Sequence, residues 1–464
     1  MFEYGVMPPV MFGVMVVFLL IGFPVAFTLA AVGMLFGLIG VAIGQFDASF
    51  LHALPLRFYG IVTNDLLLSI PFFTLMGAIL DRCRLAEDLL EGAGKLFGAI
   101  PGGVAYAVVI VGAVLGAITG TVAASVVAMG VISLPVMMRY GYDMRLATGV
   151  IAASGTITQL IPPALVLIVL ADQLGRSVGD MYLGAIGPSI LQISVFLLYI
   201  AALSVVRPKS MPPLPLEARS GPRWKMVRQV LWGMVPASAL IFLVLGTILV
   251  GLATPTESGA MGAVGAVLLA AMHRRITLPL LWSAAQSTMR ITAMVMFILM
   301  GSTVFTLVFH GMDGGHWVEH LLTALPGGQI GFLLFVATFI FVLAFFLDFF
   351  EIAFILVPIL APVAAKLNID LVWFGVLLCV VMQTSFMHPP FGVALFYIRG
   401  IAPSSVKTSD IYLGAIPWIL LQLLVVIVVA FWPGAVTYWI GQDQKLDSGA
   451  IERKLESMEL QTYD

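Results

Sequence analysis

Two stretches of this sequence interrupt long apolar runs with hydroxyl residues and a proline pair. The first is Ser154-Gly155-Thr156-Ile157-Thr158-Gln159-Leu160-Ile161-Pro162-Pro163, and the second runs from Met382 through Gln383-Thr384-Ser385-Phe386-Met387-His388-Pro389-Pro390 to Gly392. A proline pair removes two backbone donors in a row and pushes the preceding residue out of helical conformation. Carbonyls released in this way cannot face lipid. Together with the hydroxyls and the half-helix ends, they suit a cation such as Na⁺ and an anion: a helix N-terminus favours negative charge and a C-terminus favours positive charge. Two further stretches could complete such sites. Thr119-Gly120-Thr121-Val122-Ala123-Ala124-Ser125 is small, hydroxyl-rich and uncharged. Leu347-Asp348-Phe349-Phe350-Glu351 places two acids inside an apolar run. Acids at membrane depth are costly and are usually functional.

Asp348 and Glu351 could bind a cation or accept a proton. They could also bond neighbouring amides as a structural pair, or sit in a cytoplasmic turn if the chain crosses fully there. His388 is either a pH-sensitive group or a neutral, hydrogen-bonded ring. Gln159 and Gln383 either line a site or bond between helices. No Lys or Arg falls in the middle of a predicted span, so helix ends, amides, hydroxyls or a co-bound cation must meet the charge of an anionic substrate. The sequence has no His-Glu-x-x-His motif and no paired aspartates at helical spacing, so an enzyme is not expected.

The surrounding composition makes these residues intramembrane. Of 464 residues, 61% are hydrophobic and only 10% charged, and the mean hydropathy is +1.09. A soluble chain carries roughly a quarter charged residues, so a soluble enzyme, a nucleic-acid binder and a disordered scaffold are excluded. The expected class is an all-α polytopic membrane protein. With 46 Gly and 26 Pro, its helices should pack closely, kink and break. Cys83 and Cys379 are too few and too far apart for a disulfide framework or a metal site.

The chain repeats itself. Pro101-Gly102-Gly103 recurs as Pro326-Gly327-Gly328, Pro135 and Asp143 as Pro362 and Asp370, and Pro162-Pro163 as Pro389-Pro390. Asp180-Met181-Tyr182-Leu183-Gly184-Ala185-Ile186 recurs as Asp410-Ile411-Tyr412-Leu413-Gly414-Ala415-Ile416. Four matches in order at offsets of 225 to 230 indicate duplication. We read a first repeat over 1–206, a basic linker over 207–229, a second repeat over 230–434 and a polar tail over 435–464. The linker carries Arg207, Lys209, Arg219, Arg223, Lys225 and Arg228 and is assigned to the cytoplasm. Asp81–Gly98 has Arg82, Arg84 and Lys95, whereas its counterpart Gly311–Leu325 has no Lys or Arg. Equivalent segments thus fall on opposite sides, which makes the repeat inverted and requires an odd number of full spans per half, read as five. Residues 103–138 and 328–365 must each return to the side they start from. Each is read as a re-entrant hairpin preceded by an interface helix and followed by a broken span, over 146–172 and 371–397. Thr254-Pro255-Thr256-Glu257 is read as a structural helix cap.

With these motifs in place, the sequence resembles the large membrane subunit of tripartite ATP-independent periplasmic (TRAP) transporters. The resemblance covers about 10–434. It rests on Gly22-Phe23-Pro24-Val25-Ala26-Phe27, the Gly120-centred tip, Ala153-Ser154-Gly155-Thr156 with Ile161-Pro162-Pro163, Thr254-Pro255-Thr256-Glu257, Phe346-Leu347-Asp348 with Glu351, and Gln383-Thr384-Ser385-Phe386 with Pro389-Pro390-Phe391-Gly392. The last two look like the branch labelled for mannitol or chloroaromatic compounds. The resemblance implies an elevator-type, ion-transporter-superfamily-like fold with two re-entrant hairpins in a bacterial inner membrane. It implies Na⁺-driven uptake of a small organic anion. The implied partners are a periplasmic substrate-binding protein and a small four-helix membrane subunit, with no nucleic acid. Carried over by motif, one Na⁺ site comprises Thr119, Gly120, Thr121, Ser125, Ser154, Gly155 and Thr156, and the other Asp348, Gln383, Thr384 and Ser385. Gln159, Pro162, Pro163, Glu351, His388, Pro389 and Pro390 are candidates for substrate contact or coupling. Two residues depart from the family pattern: Thr121-Val122 stands where many members have a Ser pair, and His388 where Thr is common. H⁺ coupling through Asp348, Glu351 or His388 is the nearest alternative. A stand-alone channel or exporter is the more distant one.

Overall fold

A computed structural model describes residues 6–83, 85–119, 121–215, 217, 223–389 and 392–440. The described residues are helical throughout, with no strand. Among the described residues six unbroken helices are long and apolar enough to cross a membrane, and up to nine spans result if each of three bent pairs is one span. The protein is an all-α, multi-span membrane protein.

The first half begins with α1 (Met7–Ile21) and α2 (Val25–Ala42). They meet where Gly22 adopts φ 93°, a left-handed conformation open to glycine, and Pro24 starts the next helix. Then come α3 (Leu54–Val62), α4 (Asp65–Arg82) and the amphipathic α5 (Leu85–Phe97). Two antiparallel helices follow, α6 (Gly103–Thr119) and α7 (Val122–Arg139). The next span is broken: α8 (Met144–Thr156) passes through a 3-10 turn at Ile157–Gln159 and an irregular stretch before α9 (Leu165–Leu174). The half closes with α10 (Val178–Val206).

The second half contains α11 (Arg223–Leu249), α12 (Pro255–Met272), α13 (Leu278–Gly311) and α14 (Gly314–Thr323). α15 (Gly328–Leu343) turns into α16 (Phe349–Ile355) and α17 (Val357–Lys366), which lead back towards its start, where the Gln329 side chain donates to the Leu367 carbonyl; a second broken span follows, α18 (Leu371–Ser385) and α19 (Val393–Ile401). The chain ends with α20 (Thr408–Phe431) and the short α21 (Gly434–Thr437).

Repeat-matched residues occupy matching local roles. Gly102 and Gly327 both have positive φ, 78° and 93°, at the turn from interface helix to hairpin. Pro135 and Pro362 lie inside the returning arms α7 and α17. Asp143 caps α8 by accepting the Arg145 amide, and Asp370 caps α18 by accepting the Trp373 amide. Such caps satisfy amides that a helix start leaves unpaired.

Helix bounds differ from the sequence reading in three places. α11 starts at Arg223, inside the segment read as linker, because good helix formers there extend the span. The apolar run by itself suggests a span of about 290–309, whereas α13 is 34 residues long, its start capped by Thr277, which accepts the Leu280 amide. The segment read as tail from 435 begins inside α21, where Val436 is buried.

Small residues set the helix approaches. A Cβ on Gly301 of α13 would lie 2.2 Å from the Ala26 carbonyl oxygen of α2. One on Gly414 of α20 would lie 2.1 Å from the Arg145 carbonyl oxygen of α8. α2 and α4 pack with α12 and α13 on one side of the molecule. The hairpins and broken spans pack with α10 and α20 on the other.

Candidate functional site

The first hairpin ends level with the first break. A Cβ on Gly112 of α6 would lie 2.9 Å from the Ser154 Cβ, and one on Gly116 would lie 2.9 Å from the Thr158 Cα. Thr119, where α6 ends, is about one turn further on. α9 continues for 10 residues past the break, about 15 Å of helix. The hairpin therefore stops short of the far end of the span beside it. On the returning arm, Val126 lies against Gly155, where a Cβ would meet its Cγ2 at 2.2 Å. Ser125, Ser154, Gly155 and Thr156 are thus brought together, with Thr121 one turn before Ser125 on the returning arm. Thr121 is the N-cap residue of α7 but makes no side-chain cap bond. Ser125 and Ser154 are fully buried, and the Ser154 hydroxyl has no partner among the described residues. Gly120, the Thr119 side chain, Pro390 and the tail from 441 lie outside the described residues.

The second tip meets the second break in a different way. A cavity of about 400 Å³ is lined by Phe345, Phe346, Asp348 and Glu351 from the tip and by Ser385 and Phe386 from the break, with Leu19, Leu20 and Gly22 from the α1–α2 turn. Asp348 and Glu351 form a capping box on α16. The Asp348 carboxylate accepts the Glu351 amide at 2.9 Å, and the Glu351 carboxylate accepts the Asp348 amide at 2.8 Å. The pair is thus bonded to neighbouring amides while half-buried against the cavity. The same device at the exposed start of α12, Thr254 with Glu257, agrees with the structural reading of that motif.

His388 is buried and sits between two rings of the second hairpin. Its centroid lies 4.2 Å from Phe341 and 4.7 Å from Phe345, stacked at 20° on the latter. Neither ring nitrogen has a hydrogen-bond partner among the described residues, so of the two sequence readings the hydrogen-bonded ring finds no support there. Gln383 is fully buried, and among the described residues both its amide atoms and the Gln159 side-chain oxygen are unpartnered. Among the described residues neither glutamine side chain makes an interhelical hydrogen bond. Thr384 and Ser385 donate to Val381 and Met382 carbonyls of their own helix. The Pro162-Pro163 bond is cis and lies in the first break, and Pro389 lies in the second. Among the described residues no cluster of three His, Cys, Asp or Glu could hold a metal. A cation here would need carbonyl and hydroxyl oxygens, which hard cations prefer.

The two breaks meet each other. Cys379 of α18 donates to the Gln159 carbonyl at 3.4 Å, and the Thr156 hydroxyl lies 3.9 Å from the Met387 sulfur. Thr156 also accepts a 2.8 Å hydrogen bond from Gln422 of α20, a residue that sequence reasoning missed. The signal was present: Gln422 matches Gln192 at the offset of 230 that relates Asp180 to Asp410.

Comparison with known proteins follows the same outline. The profile of the family described as "Tripartite ATP-independent periplasmic transporter, DctM component" matches residues 12–435. The C4-dicarboxylate TRAP transporter large permease protein DctM of Pseudomonas aeruginosa is 29% identical over 403 residues, covering 85% of this chain and 92% of that protein. The 2,3-diketo-L-gulonate TRAP transporter large permease protein YiaN of Escherichia coli is 25% identical, covering 80% and 85%. The isethionate TRAP transporter permease protein DctMQ of Oleidesulfovibrio alaskensis is 27% identical, covering 93% of this chain and 66% of that protein. Among solved structures, the Alcanivorax borkumensis YdaH transporter, described as having an unusual topology, matches with a TM-score of 0.57 at 15% identity. That match covers 84% of this chain and 90% of that one, and it speaks to the fold alone.

Proposed function

This chain belongs to the DctM component family of tripartite ATP-independent periplasmic transporters, and we propose that it is the large permease subunit of a bacterial inner-membrane system driven by a Na⁺ gradient. It takes up a small organic acid delivered by a periplasmic binding protein, and it works beside a small four-helix membrane subunit. The names of its relatives, with C4-dicarboxylate, 2,3-diketo-L-gulonate and isethionate as cargo, support an anionic substrate. The relatives are transporter permeases, not enzymes.

The observation that carries the reading is the pairing of each hairpin tip with a broken helix. Each pairing collects hydroxyls, carbonyls and helix ends in the protein interior. In our reading, Na⁺ binds at the first tip and break through Thr121, Ser125, Ser154, Gly155 and Thr156, and at the second through Asp348, Gln383, Thr384 and Ser385. The bound cations then offset the charge of the organic acid. The part holding the hairpins and breaks moves as an elevator against the α2, α4, α12 and α13 frame. The half-buried carboxyls of Asp348 and Glu351 favour a second reading, H⁺ coupling at the second tip.

The test is substrate uptake by proteoliposomes containing this chain, its small subunit and its binding protein, with Na⁺ and pH gradients imposed separately. Uptake that follows Na⁺ is the expected result. Uptake that follows pH alone overturns the sodium assignment and moves coupling to the acids.

A further inference from the structure

Gln192 and Gln422 are 0% and 1% exposed, and each interrupts an apolar stretch of a long helix. Their mutual position follows from the packing around them. α8 and α20 run in the same direction: Arg145 contacts Asp410, Gly149 contacts Trp418, and Thr156 contacts Gln422. α6 is parallel to α8, with Gly112 on Ser154 and Gly116 on Thr158. α10 runs against α6, because Ile200 lies at Gly102 while Ser189 reaches the Leu160 carbonyl beside the break. α10 and α20 are therefore antiparallel. They touch where Phe196 meets Trp418 edge-on, with centroids 4.9 Å apart. Residues four apart share a helix face. One turn along, in opposite chain directions, that face carries Gln192 on α10 and Gln422 on α20.

The Gln422 amide nitrogen donates to Thr156, while its carbonyl oxygen and both polar atoms of Gln192 have no partner among the described residues. Buried carboxamides are rarely left unpaired, and the helix register places these two on facing stretches of α10 and α20, with no hydrogen bond joining them in the structure. We propose that Gln192 and Gln422 form a repeat-related buried pair, and that Gln422 is a positioning residue for the first ion site. The Thr156 hydroxyl donates to the Ala153 carbonyl at 2.8 Å and accepts from Gln422 at 2.8 Å. Both bonds fix its rotamer, and one lone pair remains for a cation. Gln192 in turn holds the Gln422 carboxamide in the orientation that keeps its N–H on Thr156. This inference rests on the sodium reading above.

The experiment uses the full transporter and two readouts, Na⁺-dependent uptake and the Na⁺-induced rise in melting temperature, the second of which needs no activity. The Q422M variant keeps side-chain length but removes the donor. It should raise the half-saturating Na⁺ concentration roughly three- to tenfold, as loss of one hydrogen bond does, with the substrate half-saturation unchanged. T156V should raise it at least as much, and the Q422M/T156V double variant should match T156V alone, because Gln422 acts only through Thr156. Q192M should give a smaller rise of the same kind. Q422N, with the amide withdrawn by one methylene, should repeat the Q422M effect and carries the test if Q422M fails to accumulate. A wild type that responds to Na⁺ while Q422M and Q422N leave its half-saturation unmoved overturns this inference alone. So does a double variant whose effects multiply. A wild type without any Na⁺ response, in uptake or in melting, overturns the sodium reading and this inference together.

Discussion

The first tip and break are closed by contact, and the second pair by a different chemistry. At the first, Gly112, Gly116 and Gly155 bring three helices to near backbone contact, and the polar groups are hydroxyls and carbonyls without charge. At the second, two acids cap a short helix beside a cavity of about 400 Å³, with aromatic rings on the same tip and His388 packed among them. One duplicated plan has thus produced a tight, uncharged site and a looser, acid-bearing one. The difference teaches that a repeat preserves backbone events (turn, cap, break) while side chains at the tips are free to diverge. Packing constrains the first site, and electrostatics constrains the second.

The largest effect should come from breaking the contact that closes the first site. Gly116→Leu drives a side chain into the Thr158 backbone. It should abolish uptake and cost about 1–3 kcal/mol of stability, as overpacking does, seen as a lower melting midpoint in detergent. Val393→Leu, at the rim of the second cavity and 42% exposed, should leave the midpoint unchanged. Equal losses would erase the contrast between the two sites.

The next largest effect separates charge from capping at the second tip. Asp348→Ala removes both, and Asp348→Ser keeps a capping oxygen. Only the alanine variant should lose stability, by about 1 kcal/mol. Both should lose uptake by roughly tenfold or more, as expected for losing a hydrogen bond or ligand that carries charge. Full uptake in Asp348→Ser would reduce the acid to a helix cap and make the two sites alike.

His388→Leu should have a smaller effect. Its ring nitrogens bond nothing among the described residues, so an apolar side chain of similar size should preserve or raise the melting midpoint. Half-saturating Na⁺ should change by no more than about twofold, below the loss of one hydrogen bond. Collapse of uptake with intact folding would instead place His388 in a proton path and sharpen the contrast further.

The smallest effect lies outside both sites. Glu319 of the interface helix α14 pairs with Lys366 of α17, and this bond holds its carboxyl below the usual value of 4.5. A depressed carboxyl contributes stability above its unfolded pKa and loses it as pH falls through the folded one. Glu319→Gln should therefore melt slightly below wild type at neutral pH. The gap should close as pH falls below the ordinary glutamate range of about 4.3. Uptake at neutral pH should be unaffected, since the pair is remote from both tips.

The sequence by itself determined the class, the helices and the backbone events. Apolar content required spans, Asp143 and Asp370 required helix starts, and paired prolines required breaks, because each acts through its immediate neighbours along the chain. The tip acids were legible both as site candidates and as a pair bonded to neighbouring amides, because the capping box they form is set by their i, i+3 spacing. Tertiary structure alone decided which polar groups meet. Gln422 reaches Thr156 across 266 residues, the breaks cross at Cys379 and Gln159, and His388 inserts between Phe341 and Phe345. Helical spacing says which face a residue occupies, but the partner of that face is set by how glycines let whole helices approach. No local pattern encodes that distance.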